Sequence, residues 1–222
     1  MNTTVGYFDT YFTSWAYTTR SGYAFYIPWP NAVLTNGPNA VGAIQVDLGV
    51  GPATIHYWND FELDNIMAAV DVAVGPVNAN VNFGAPTADF GGGQFGVEAK
   101  FASTFGSLNL AVPAFFSYNL GASAFTWGIG AGVGISMLTF NLGVEGNTDN
   151  ALDDIVIEAL VAPIANLQAG VSAYMDLAAA DVFAGVDIFA SYMFGSAKFM
   201  LGYAYASESA GTIPVDAGDN IW

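Results

Sequence analysis

Between Ile66 and Phe83 the chain reads IMAAVDVAVGPVNANVNF. Apolar residues fall on alternate positions up to Val74, Gly75-Pro76 interrupts them, and alternation resumes at Val77, Ala79, Val81 and Phe83. A side-chain period of two marks a strand with unlike faces. A two-residue turn at Gly75-Pro76 sets Val74 opposite Val77, Val72 opposite Ala79, Val70 opposite Val81 and Ala68 opposite Phe83. Those pairs form one apolar face. The other face carries Ala69 with Asn82, Asp71 with Asn80 and Ala73 with Asn78. The stretch reads as a hairpin, apolar on one side and polar on the other.

The same arithmetic works through most of the chain. Val41–Val50 and Ala53–Trp58 turn at Gly51-Pro52, which places Asp47 across from His56 on the polar side. Phe95–Phe105 and Leu108–Phe116 turn at Gly106-Ser107, with Glu98 and Lys100 on the polar side. Phe125–Met137 and Phe140–Val144 are expected to turn at Leu138-Thr139. The second face of that hairpin is almost bare: Gly128, Gly130, Gly132 and Gly134. Asp154–Val161 and Ala165–Leu177 are expected to turn at Ala162-Pro163-Ile164, pairing Glu158 with Gln168. Val182–Phe194 and Ala197–Ala206 turn at Gly195-Ser196, with Asp187 and Lys198 on the polar side. These expectations place six hairpins in series from Val41, their short turns alternating with longer loops. Ahead of them, Val5–Tyr17 and Tyr23–Trp29 read as an aromatic strand pair turning at Thr18–Gly22, and Pro30–Ala40 as a loop. On that reading the chain enters on the long-loop side. The segment 207–222 is polar and irregular.

Composition narrows the class. Of 222 residues 54% are hydrophobic, and only 10% are charged, 19 acidic against 3 basic. Soluble domains carry about a quarter charged residues. The apolar content argues against disorder, and the acidity argues against nucleic acid as a partner. With no cysteine there is neither a disulfide framework nor a thiolate metal site. No run of about 18 residues is apolar enough for a helical membrane span, and Met1-Asn-Thr-Thr has no signal-peptide character.

Strict alternation of short and long connections suits an up-and-down meander better than a Greek-key sandwich. The expected architecture is all-β: a single antiparallel up-and-down transmembrane β-barrel domain over 1–222, with about 12–14 strands. A soluble barrel of that size would enclose more space than side chains can fill. The polar face therefore belongs inside and wet, and the apolar face outside against lipid. Aromatic residues support two interfacial girdles: Phe105, Phe140, Tyr192, Phe194 and Phe199 beside short turns, and Tyr57, Phe83, Phe95, Phe116, Tyr203 and Tyr205 towards the long loops.

With these hairpins, this acidity and no cysteine, the region Val41–Ala206 resembles bacterial outer-membrane β-barrel proteins of the porin type. The resemblance implies short turns at the periplasm, long loops outside, and a passive diffusion channel for small hydrophilic solutes or ions; many porins are trimers. Such barrels have both ends in the periplasm. A strand missing at each end, within a parent of about sixteen strands, or ends that are built differently, is therefore a further expectation; a native mass well above 23.2 kDa would bear out the missing strands.

Candidate functional residues follow from the polar face. Asp47, His56, Asp71, Glu98, Lys100, Glu145, Glu158, Asp187 and Lys198 would line the lumen, where an excess of carboxylates favours cations. His56, the only histidine, and Asp47 could form a general acid–base pair of a membrane-embedded lipid hydrolase, or simply a polar pair on the lumen wall. Asp60, Glu62 and Asp64 in one loop, and Asp149, Asp153 and Asp154 in another, could offer oxygens to Ca²⁺. They match no EF-hand, so solvated acidic loops and no cofactor are the plainer reading. A structural subunit of an extracellular fibre or surface layer is the alternative to a channel.

Overall fold

The computed structural model describes residues 2–8, 41–180, 182–195 and 197–206. They form one antiparallel sheet of thirteen strands, each hydrogen-bonded to its neighbours in sequence. The strands are β1 (Asn2–Phe8), β2 (Val41–Val50), β3 (Ala53–Asp60), β4 (Asn65–Val74), β5 (Val77–Pro86), β6 (Gln94–Phe105), β7 (Leu108–Asn119), β8 (Ala124–Ile135), β9 (Leu138–Asn147), β10 (Asp154–Ile164), β11 (Leu167–Asp176), β12 (Phe183–Phe194) and β13 (Ala197–Ala206). No helix among the described residues is long and apolar enough to cross a membrane.

Four hairpins have the register that addition predicts. Val74 faces Val77 and Ala68 faces Phe83; Asp47 faces His56; Phe105 faces Leu108 and Val97 faces Phe116; Phe194 faces Ala197 and Val186 faces Tyr205. In each, a glycine with positive φ opens the turn: Gly51, Gly75, Gly106 and Gly195, at 57–64°. A two-residue hairpin turn needs that backbone, and glycine adopts it without steric cost.

Two hairpins differ from expectation. The β8–β9 turn is Ser136-Met137, so Ile135 faces Leu138 and Val133 faces Phe140. The β10–β11 turn is Ala165-Asn166, so Ile164 faces Leu167 and Glu158 faces Ser172 rather than Gln168. The positive φ there falls on Ser136 (56°) and Asn166 (74°). Leu138, Thr139 and Ile164 adopt such a backbone poorly, whereas a short polar side chain tolerates it. Pro163 sits instead within β10, where the register shifts between Val161 and Ile164, in keeping with proline's missing N–H. Both corrections move the partner of a given residue by four positions, an even number. Every side chain keeps its face.

The N-terminal strand also differs. β1 pairs with β2 from Asn2 opposite Asp47 to Phe8 opposite Val41. It therefore runs from the short-turn end to the long-loop end, opposite to the expected entry. The expected return strand Tyr23–Trp29 lies outside the described residues, as does 207–222. β1 and β13 run in the same direction and are not paired with each other among the described residues.

The strands reach further towards the long-loop end than expected, because polar residues such as Asn59, Asp60, Tyr118 and Asn119 still pair in the ladder. The loops left between β3 and β12 at that end are four to seven residues long. The short-turn rim is stitched from hairpin to hairpin. Carbonyls of Pro52, Pro76, Met137 and Asn166 accept the N–H groups of Ala73, Ala102, Ala162 and Met193 at 2.8–3.0 Å.

The polarity of the sheet is inverted relative to a soluble protein. Its apolar face is exposed: Val50, Val74, Val81, Phe105, Phe140, Ile157, Ile188, Phe194 (70%) and Leu201 (80%) all stand open. The other face buries Asn80 (0%), Asn82, Glu98, Ser117, Asn141, Glu158, Ser172 and Ser191. On β6, Phe95 and Phe105 bound the exposed face ten residues apart. That separation is about 34 Å along a strand and about 25 Å along the normal at a tilt of ~40°. It matches the height of the apolar band on a membrane barrel.

Candidate functional site: the polar face of the sheet

The inward side chains come from odd positions on β2, β4, β7 and β9, from even positions on β3, β5, β6, β8, β10 and β11, and on β12 from even positions up to Gly185, where the ladder shifts by one residue. Beyond that shift Phe189 and Ser191 take the same face on β12.

A hydrogen-bonded chain crosses four strands near the short-turn end. Gln45 Nε2 donates to Asp47 Oδ1 at 2.9 Å. His56 Nδ1 lies 2.7 Å from the same oxygen, and His56 Nε2 lies 2.8 Å from Asp71 Oδ2. Asn80 Nδ2 donates to Asp71 Oδ1 at 2.6 Å, and Asn82 Nδ2 to Asn80 Oδ1 at 2.5 Å. The predicted Asp47–His56 pair is thus one link in a longer series. Both ring nitrogens are taken by carboxylate oxygens, whereas a hydrolase base would turn one of them to a hydroxyl.

A second cluster spans β8 to β11. Asn141 Nδ2 donates to Glu158 Oε1 at 2.7 Å, and Ser172 Oγ to Glu158 Oε2 at 3.3 Å. Glu158 is 3% exposed; its carboxylate is held by donors from the strands on either side. The bare stripe on β8 now has a reason. A Cβ at Gly132 would lie 2.5 Å from Asn141 Oδ1, so glycine leaves the room in which Asn141 lies flat. Likewise Gly170 on β11 sits beneath Leu160 and Phe189, which would meet a Cβ there at 2.5 and 2.7 Å. The inner face is therefore not uniformly wet: Trp58, Met67, Val156, Leu160 and Phe189 are buried on it.

Glu98 stands opposite Asn80 and Phe115, and Lys100 opposite Asn78 and Pro113. Glu145 faces Asp154 across β9–β10, and Asp154 faces Asp176 across β10–β11. Tyr174 Oη donates to Asp154 Oδ1. A carboxylate-rich mouth forms at the long-loop end. Asp187 and Lys198 hold register positions opposite Ser172 and Met193.

The acidic loops are occupied with their own turns. Asp60 accepts from the Asp64 amide at 2.7 Å and from Asn65 Nδ2 at 2.9 Å. Asp153 accepts from Asn147 and Asn150, and the Asp149 amide donates to Asn147 Oδ1 at 2.9 Å. Glu62 lies in the loop with Asp64. Among the described residues no three acidic or histidine side chains converge as a metal ion would require.

The residues not anticipated as site residues are Asn80, Asn82, Asn141, Ser172 and Phe115. Their signal was present as face parity. Asn80 opposite Asp71 and Phe115 opposite Glu98 follow from their two-residue turns, whereas Asn141 opposite Glu158 required a register across a long loop, which no two-residue turn supplies.

Comparison of the sequence with protein families and with curated proteins finds no match. Among solved structures, the chain is similar to a triple-substituted variant of the porin of Rh. blastica. The TM-score is 0.60 at 15% identity, over 78% of this chain and 74% of that one. The likeness shows the fold: an antiparallel, up-and-down, porin-type β-barrel sheet.

Proposed function

We propose that this chain is a membrane-spanning barrel that passes small hydrophilic solutes or ions by passive diffusion, with a preference for cations, in a bacterial outer membrane. The observation that carries the reading is the inverted polarity of the sheet. Exposed Val, Leu, Phe and Tyr on one face need lipid, and buried Asn, Ser, Glu and Asp on the other need water or each other. The excess of carboxylates at the polar-face positions of the described strands, with Lys100 and Lys198 as the cations among them, supports cation preference. The porin-type fold agrees with a channel.

The test is planar-bilayer conductance of detergent-purified protein, with a salt gradient across the membrane. Stepwise conductance and a reversal potential on the cation side are expected. Protein that stays monodisperse in water without detergent and gives no steps would overturn the reading.

A further inference from the structure

We propose that His56 sets the charge of the pore wall between β2 and β4, so that cation preference rises when this one ring gives up its second proton. The inference rests on the channel reading above and adds its regulation.

The argument starts from the two contacts of the ring. Nδ1 and Nε2 lie 2.7 and 2.8 Å from oxygens of Asp47 and Asp71. A carboxylate only accepts, so both contacts are hydrogen bonds only when both ring nitrogens carry protons. In that form the trio bears one net negative charge. A neutral ring turns a lone pair towards one carboxylate, weakens that contact, and leaves the trio with two negative charges. The other side-chain donors to these carboxylates among the described residues, Gln45 and Asn80, are uncharged.

The surrounding groups leave the ring as the variable element. β2 presents Asp47 to it, and β4 presents Asp71, with Ala69 directly opposite. On β3 itself Thr54 and Trp58 flank it on the same face. On β1 the one ionisable side chain is that of Tyr7, whose register position opposite Gly42 belongs to the other face. Asn80 and Asn82 stand between Asp71 and the next carboxylate, Glu98 on β6. The side chains of His56, Asp47 and Asp71 are 16%, 24% and 31% exposed, so protons and permeating ions both reach the trio. Histidine changes charge between about pH 5 and pH 8, where an ordinary carboxylate does not.

The decisive comparison is the reversal potential of wild type and His56→Gln across that pH range. Wild type should shift towards the cation side as pH rises, with one inflection; in His56→Gln that inflection should be lost. Any inflection caused by other groups persists in the variant. A variant that keeps the full wild-type shift overturns the proposal. A second measurement does not need conduction. Because His56 is the only histidine, ¹⁵N-histidine labelling of the protein in micelles reports this one ring. Doubly protonated signals at low pH should give way to singly protonated ones, with the midpoint of the conductance inflection. A ring that holds one protonation state throughout overturns the proposal whether or not the channel conducts. A titrating ring in a protein that never conducts overturns the channel reading, and the selectivity role with it.

Discussion

Glu158 shows how a buried charge survives on the inner face of a single sheet. Its carboxylate is held by Asn141 from β9 and Ser172 from β11, and the Asn141 amide oxygen lies where a Cβ at residue 132 would stand. Glu158→Ala leaves two buried donors unsatisfied, and a loss of about 1–3 kcal/mol is expected, read from the urea midpoint in detergent. Gly132→Ala pushes Asn141 off the carboxylate and should cost a similar amount. Because both changes act through Asn141, the double variant should fall short of the sum by about 0.5–3 kcal/mol; strict additivity would refute the shared linkage. Part of this site was legible beforehand. Asp47 beside His56 follows from adding residue numbers across Gly51-Pro52. The second contact, to Asp71, was not available by that route, since the β3–β4 register is set across residues 61–64, where the loop does not fix the sum. The assignment of Gln168 to Glu158 failed because it put the turn joining their own two strands at Ala162-Pro163-Ile164, whereas it lies at Ala165-Asn166.

At the level of the hairpin, glycine is the cue that made four registers readable. Where the turn residue is Ser136 or Asn166, a reader guided by Gly and Pro settles on a neighbouring pair or on Pro163. Yet alternation preserved the faces across both misplaced turns, since a period of two forgives any even slip; at the one-residue shift before Gly185, Phe183 and Ala184 exchange faces. The strand ends were less legible, because asparagine and aspartate look like loop residues while their backbones still pair. Ser136 holds a φ of 56°, which an L side chain adopts at a cost. Ser136→Gly should therefore raise the unfolding midpoint by an amount equivalent to about 0.5–1 kcal/mol. A lower midpoint would mean that the serine side chain contributes more than its backbone costs.

For the whole molecule, the inverted polarity makes a prediction that separates lipid from water. Val81 lies mid-strand on the exposed face, opposite Val70. On a water-facing surface an arginine there is nearly neutral. At the midplane of a bilayer it costs about 2–4 kcal/mol. Refolding Val81→Arg into lipid vesicles and comparing its urea midpoint with that of wild type measures the difference, and an unchanged midpoint would place this face in water. One further property follows from the order of the sheet. Every described strand pairs only with the strands before and after it in the chain, so no long-range contact ties a hairpin to its place. Excising β6 and β7 together would bring β5 to β8 with the right direction and the right face, and copying a hairpin would do the same. The chain is thus a ribbon that can be lengthened or shortened one hairpin at a time. Gene duplication and deletion could then retune the bore in two-strand steps, without a single new fold having to be invented.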